Sequence, residues 1–265
     1  YEIAQCLVGS EMCIRDRNLT VCPWEYLPPQ AEEVKGEVKM TNCYMVAPGG
    51  RVDIPTENVY KIWAQQVEFG NIPIPDGDVM AELVWQDEQG VIADGGITVV
   101  NALERERAYL QVRTAKEGNA VVAMKVNGEI YWSWHIWCTD YNPNLKEGQQ
   151  ELNGFVWMDR NLGATYNKYN EEGGIKSKGF LYQWGRKDLF PPTKGWEKTE
   201  SDEDLYNLAG EIITFSKVPV EVFNNIPNSV HNSMSFYTSE ESWYTNAKGT
   251  YRRNDLSLWN SKVGK

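Results

Sequence analysis

The 265-residue chain has only two histidines and five cysteines, and it contains no long apolar run. So few histidines give little support to catalysis or metal binding that depends on imidazole. No two cysteines form a Cys-x-x-Cys pair, which argues against a structural zinc site or a thioredoxin-type centre. The longest apolar runs, such as residues 120–124, are far shorter than the roughly 20 residues that span a bilayer. We therefore expect no transmembrane segment.

Positive charge is also scarce, because 26 lysines and arginines are outnumbered by 37 aspartates and glutamates. The formal net charge is -11 at pH 7, and the basic residues form no stripe. Nucleic acid is therefore not an expected partner. The 42% of hydrophobic and 24% of charged residues are typical of a globular protein, which excludes wholesale disorder.

Aromatic residues, in contrast, are plentiful, with 11 tryptophans and 14 tyrosines. This content predicts a tryptophan-rich core, a surface on which ligands stack, or both.

Residues 38–139 have the pattern of short β-strands separated by turns. Apolar and polar residues alternate over residues 79–85, and Asn127-Gly128 between two apolar segments predicts a hairpin. Tyr60 and Trp63 recur at helical spacing and predict one short helix. These signals predict a mainly β chain in which residues 36–141 form a β-sandwich.

Two polar, proline-containing breaks frame this region. Residues 18–35 are interpreted as the end of a preceding domain and a linker, and residues 142–152 as a second linker. Residues 153–265 then form a loop-rich second unit anchored by aromatic residues. Residues 1–17 resemble translated sequencing-adapter sequence, so we expect them to be a non-native artefact and any targeting signal to be missing from this chain.

Three stretches carry a resemblance to known proteins. They are residues 42–46, residues 118–123 with 132–137, and residues 157–164 with 181–188. Together they resemble the fimbrillin-like surface proteins of Bacteroidetes. From about residue 153 onward, the chain resembles the start of the Fibrobacter succinogenes major paralogous domain. The resemblance implies that residues 153–265 are a truncated α+β domain with a C-type-lectin-like fold.

This resemblance implies an extracytoplasmic protein at the cell surface or outer membrane, either a fimbrial component or a surface lipoprotein. Its implied function is adhesion or glycan binding, with glycans or other surface and fimbrial subunits as partners and no cofactor. A purely structural assembly or stalk subunit is an alternative. A relative of formylglycine-generating enzymes is a further alternative, but it needs reactive cysteines and none follows Cys138. Since no catalytic motif is recognisable either, we expect no enzymatic activity.

Two tryptophans, Trp134 and Trp137, are candidate ligand-binding residues in the aromatic segment 132–137. Successive residues of a strand point to opposite faces, so the segment places aromatic rings on both. One hypothesis is a platform on which sugar rings stack. The alternative, which we favour, is a strand buried on both faces, one of them against the next domain.

Trp184 and Arg186 are the other candidate ligand-binding residues. The Gly-Arg-Lys-Asp segment 185–188, which follows an aromatic run, fits a polar rim beside a ligand pocket. The favoured alternative is that Arg186 pairs with an acidic neighbour, such as Asp188 or Asp159, and holds loops together, because buried loop backbone needs partners.

Metal and cysteine chemistry receive little support from the spacing of residues. The acidic groups at 76–78 and 202–204 do not match an EF-hand loop, so we interpret them as solvated surface and expect no metal site there, while calcium binding by other loops of the lectin-like domain stays open. His135 and Cys138 lie three residues apart on a predicted strand and therefore point to opposite faces, which argues against a catalytic pair. Cys43 and Cys138 either form a disulfide or remain buried free thiols, and the second alternative is slightly favoured.

Overall fold

The computed structural model describes residues 19–21, 41–66, 69–169, 174–183, 186–192, 204–219 and 226–238. Within these ranges the protein is mainly β, as the sequence predicts. The strands are β1 Leu19–Val21, β2 Cys43–Val46, β3 Arg51–Pro55, β4 Val79–Gln86, β5 Ile92–Val100, β6 Tyr109–Thr114, β7 Gly118–Val126, β8 Glu129–Cys138, β9 Gln149–Leu152, β10 Phe155–Met158, β11 Leu181–Tyr182, β12 Leu189–Phe190, β13 Leu205–Tyr206, β14 Ile212–Ile213, β15 Ser216–Pro219 and β16 Ser235–Thr238. The helices are α1 Glu57–Gln65 and α2 Ile226–His231, with short 3-10 helices at Ala102–Arg107, Lys146–Gly148 and Gly174–Ser177.

Seven strands form the larger sheet, in the order β1-β2-β8-β7-β4-β13-β14. Its centre is the antiparallel hairpin of β7 and β8, whose turn residues Asn127 and Gly128 both have positive φ, at 52° and 87°. This confirms the hairpin that the Asn-Gly dipeptide predicts. On one side, β2 pairs with β8 and with β1 in parallel. On the other side, Tyr206 of β13 pairs with Gln86 of β4.

A three-stranded sheet, in the order β3-β6-β5, packs against one face of the larger sheet. The core between them is a cluster of buried side chains that includes Ile54, Leu110, Val122 and Trp134. Helix α1 joins this core through Trp63, whose indole N–H donates to the Tyr131 carbonyl oxygen at 2.8 Å. The helix confirms the prediction from helical spacing. Burying one such large side chain contributes about 2–3 kcal/mol.

The opposite face of the larger sheet is covered by the C-terminal part of the chain. Trp85, Val121 and Ala123 pack there against a second cluster that includes Phe180, Leu189 and Leu205. Beside it, Trp137 packs in a third cluster with Cys43, Met45, Tyr141 and Met158. Strand β8 is therefore buried on both faces, which explains why its sequence is almost continuously apolar.

The predicted division at residues 142–152 does not separate two independent sheets. Strand β9 lies within that segment and forms a hairpin with β10, and β13 joins the larger sheet from beyond it. The domain boundaries themselves stay a prediction, and residues 1–17 lie outside the described residues. No helix in the described ranges is long and apolar enough to cross a membrane.

Candidate ligand-binding cleft

A cleft of about 570 Å³ opens where the loops of the larger sheet meet the C-terminal part of the chain. The sheet contributes the turn after β4 and the segment leading into β7. The C-terminal part contributes residues from the loops that cover the sheet. The lining residues are Asp87, Glu88, Lys116, Glu117, Gly118, Asn119, Gly163, Thr165, Tyr166, Ile175, Lys176, Gly179, Phe180, Pro192, Asp204 and Tyr206.

Asp87 is part of this lining, and Asn119 donates to both of its carboxylate oxygens. The backbone N–H of Asn119 donates to Oδ1 of Asp87 at 2.6 Å, and the Asn119 side-chain amide donates to Oδ2 at 2.7 Å. Burial raises the pKa of Asp87 to about 6, and the hydrogen bonds from Asn119 offset part of that effect. Asp87 is thus a carboxyl group whose charge changes close to physiological pH.

Two glycines, Gly118 and Gly163, allow the backbone to lie close to Asp87 and Phe180 in the cleft wall. A Cβ at Gly118, where φ is +146°, would lie 2.7 Å from Asp87 Oδ1 and 2.6 Å from Val91 Cγ2. A Cβ at Gly163, where φ is +81°, would lie 2.0 Å from the Phe180 ring. Any side chain at either position would displace a wall of the cleft.

An ion bridge crosses from the sheet to the C-terminal part. Lys116 Nζ lies 2.8 Å from Glu88 Oε2, and Lys176 Nζ lies 3.1 Å from Glu88 Oε1. The hydrogen bond from Lys116, followed by that from Lys176, lowers the pKa of Glu88 despite its partial burial. Because both lysines are solvent-exposed and Glu88 is only partly buried, each pair adds only about 0–1 kcal/mol to stability. Both lysines nevertheless have the same carboxylate as a partner.

A chain of buried polar groups continues from the cleft into the sheet. The Asn119 amide N–H₂ also donates to the Gly163 carbonyl oxygen at 3.0 Å, so its Oδ1 is the acceptor facing His135 Nε2 at 2.9 Å. His135 Nε2 therefore carries the proton. The other ring nitrogen, Nδ1, accepts from the Cys43 thiol at 3.1 Å.

The order thiol, imidazole and amide is the one that activates a cysteine nucleophile, but here burial opposes that role. Burial lowers the pKa of His135 to about 3, so its imidazole is a poor acceptor for the Cys43 proton. Cys43 is also only 7% exposed. We therefore interpret Cys43, His135 and Asn119 as a hydrogen-bonded polar network that positions Asn119 and, through it, Asp87.

Of the site residues predicted from the sequence, Trp134, Trp137 and Arg186 do not line the cleft. Trp134 and Trp137 are 1% and 0% exposed, inside the first and third clusters, so neither ring can stack on a ligand. Strand β8 is thus buried on both faces, which is the alternative that we favour from the sequence over a platform for sugar rings. Trp184 lies outside the described residues.

Arg186 is buried and serves as a tie between loops. Its guanidinium donates to the carbonyl oxygens of Ser235, Ser229 and Asn232 and lies 3.8 Å from Asp188. Burial lowers its pKa despite the Asp188 carboxylate. The structure thus gives Arg186 the loop-holding role, with Asp188 rather than Asp159 as the acidic neighbour, because Asp159 pairs with Arg160.

The Cys43–Cys138 disulfide is not formed, and both residues are buried free thiols. In the β2–β8 register, Cys43 is opposite His135 and Cys138 is opposite Val46. The two thiols belong to different clusters on opposite faces of the sheet. In the described part of the chain, no group of three His, Cys, Asp or Glu residues is arranged to hold a metal ion.

The residues that build the cleft were not identified from the sequence. Asp87 lies in an Asp-Glu-Gln-Gly segment that predicts only a turn, and Asn119 falls only within the resemblance of residues 118–123. One signal was present: Asn119 is an amide near the start of the otherwise apolar strand β7. A buried amide of this kind needs partners, which points to a polar network.

No family model, no curated protein and no solved structure matches this chain. The resemblance to fimbrillin-like surface proteins therefore stays a prediction.

Proposed function

We propose that this protein is a non-enzymatic, extracytoplasmic surface protein that binds glycans in the cleft beside Asp87. We further propose that residues 36–141 are a sandwich of the fimbrillin-like kind. Residues 153–265 are, in this proposal, the start of a C-type-lectin-like domain. Two sheets packed face to face support the first assignment, and the short strands β10 to β16, each of two to four residues, support the second.

The observation that carries the proposal is the composition of the cleft wall. Carboxylates and lysines, which can hydrogen-bond sugar hydroxyls, line the same cavity as Tyr166 and Tyr206. Aromatic rings pack against the apolar faces of pyranose rings. The volume of about 570 Å³ lies within the usual range for small-ligand sites and is large enough for one or a few sugar units.

The competing function is a structural subunit with no ligand. The burial of Trp134 and Trp137 favours that alternative over a sugar-binding strand, because it removes the aromatic platform expected there. It does not affect the cleft, whose lining comes from other residues.

Screening the full chain on a glycan array, followed by calorimetric titration of the best glycan, tests the proposal. We expect Tyr166→Ala to weaken binding about tenfold, which corresponds to the loss of one ring contact of about 1.4 kcal/mol. Tyr169→Ala is the matched control, because Tyr169 is 77% exposed and outside the cleft. A blank array would favour the structural subunit, whereas equal binding by the native chain and Tyr166→Ala would place the glycan site outside this cleft.

A further inference from the structure

The cleft is lined by more carboxylates than lysines. Four carboxylates line it, on Asp87, Glu88, Glu117 and Asp204, but only two lysines do. The cleft therefore has an excess of two negative charges when Asp87 is ionised.

The two lysines are not free to receive an anionic ligand. Lys116 and Lys176 contact the two carboxylate oxygens of the same residue, Glu88, at 2.8 and 3.1 Å. An acidic sugar would have to displace Glu88 from both ammonium groups. It would also approach a chain whose net charge is -11, which slows and weakens the encounter of anions.

The other carboxylates are available to a cation. Within the part of the chain that the structure describes, Glu117 and Asp204 have no cationic partner. Glu117 receives only a hydrogen bond from the Thr139 hydroxyl at 3.3 Å, and Asp204 is exposed. Both line the cavity that Tyr166 and Tyr206 also line, and tyrosine faces attract ligand cations as well as sugar rings.

From this distribution we infer that the cleft prefers amino sugars, whose ring stacks on tyrosine and whose ammonium group binds Glu117 and Asp204. The inference rests on the proposed function, since it assumes that the cleft binds sugars at all. It adds the class of sugar: cationic rather than neutral or acidic.

Calorimetric titration of the full chain with four probes at neutral pH and low salt tests the inference. The probes are a glucosamine trimer, its N-acetylated counterpart, a galacturonic acid trimer, and spermidine, which carries positive charge without a sugar ring. We expect the glucosamine trimer to bind at least about tenfold more tightly than the other three, because surface charge pairs act strongly only at low ionic strength.

Charge-neutralising variants identify the residues responsible. We expect Asp204→Asn and Glu117→Gln each to weaken binding of the glucosamine trimer about threefold to tenfold, with the N-acetylated trimer unaffected. Asp94→Asn is the matched control, because Asp94 is exposed on β5 and outside the cleft, and it should leave both affinities unchanged.

The remaining outcomes separate the inference from the proposed function. Equal or tighter binding of the N-acetylated or galacturonic acid trimer overturns the preference but leaves glycan binding intact. Spermidine binding as tightly as the glucosamine trimer overturns the sugar class, because charge alone would then suffice. Failure of every trimer to bind overturns both the inference and the proposed function.

Discussion

Asp87 shows how the surroundings of one cleft residue determine its protonation state. Two donors from Asn119 favour its ionised form, whereas enclosure by the sheet and the C-terminal loops favours the neutral form. Enclosure is the larger effect, and it raises the pKa from the ordinary 3.8 to about 6. The folded protein therefore retains this proton over a range of pH in which the unfolded chain has already lost it.

A stability difference that depends on pH follows from this. Above the pKa of Asp87 in the folded state, its ionised carboxylate lowers the free energy of unfolding. Below its pKa in the unfolded state, Asp87 is protonated in both states, and this cost is absent. Relative to Asp87→Asn, the native chain should lose about 2–3 kcal/mol of stability as the pH rises from roughly 4 to 7. Asp87→Asn also removes an acceptor for Asn119, but this changes the free energy of unfolding by the same amount at every pH.

Urea unfolding at a series of pH values measures this difference. Asp94→Asn serves as the control, because Asp94 is exposed on β5 and does not line the cleft. Parallel curves for the native chain and Asp87→Asn would mean that the Asp87 carboxyl is as well solvated as an ordinary one.

At the scale of single elements, the sequence predicted those elements whose formation depends on contacts between nearby residues. The Asn127-Gly128 hairpin and helix α1 are both present where the sequence placed them. The parallel pairing of β2 with β8 was not predicted, because the contact of Cys43 with His135 joins residues 92 positions apart. No spacing in the sequence encodes such a register, which depends on the packing of both strands in the sheet.

The cleft was beyond prediction for the same reason. Asp87 and Asn119 come from a turn and a strand of the sheet, whereas Tyr166 and Tyr206 come from loops and a short strand that cover it. The alternation in residues 132–137 correctly predicted two aromatic faces, but it could not tell whether either face is exposed. The sequence therefore drew attention to Trp134 and Trp137, which are core residues.

Strand β1 provides a test of where native structure begins. Leu19–Val21 pairs with Cys43–Met45 at the edge of the larger sheet, immediately after the segment that we expect to be non-native. Deleting residues 1–17 should leave the melting temperature unchanged. Deleting residues 1–24 should lower it by about 5 °C, because β2 loses its outer hydrogen-bond partner.

Scanning calorimetry of the two deletions next to the full chain distinguishes these expectations. The shorter deletion is the control for the longer one. An equal drop for both deletions would show that residues 1–17 themselves pack against the protein.

At the scale of the whole molecule, the larger sheet is shared by the two predicted units. Its second face, which includes Trp85, Val121 and Trp137, is covered by Tyr141 and by residues beyond 155. A fragment of residues 36–145 would expose this apolar face to water. We therefore expect the fragment to bind the dye ANS and to unfold with little cooperativity, whereas the full chain does neither.

Near-UV circular dichroism and dye fluorescence of the fragment and the full chain measure this effect. A cooperative transition without dye binding would instead support residues 36–141 as a unit that folds by itself. That outcome would also mean that the second face tolerates solvent.

The pairing of β2 with β8 has a consequence for folding kinetics. Closing a loop of 92 residues costs chain entropy before any contact repays it, and the pairing of Gln86 with Tyr206 closes a loop of roughly 120 residues. The β7–β8 hairpin needs no such closure, because two turn residues join its strands. We expect the sheet to assemble from its centre outward, so that stopped-flow measurements would find refolding slowed by changes at Asn127-Gly128 and unfolding accelerated by changes in β2.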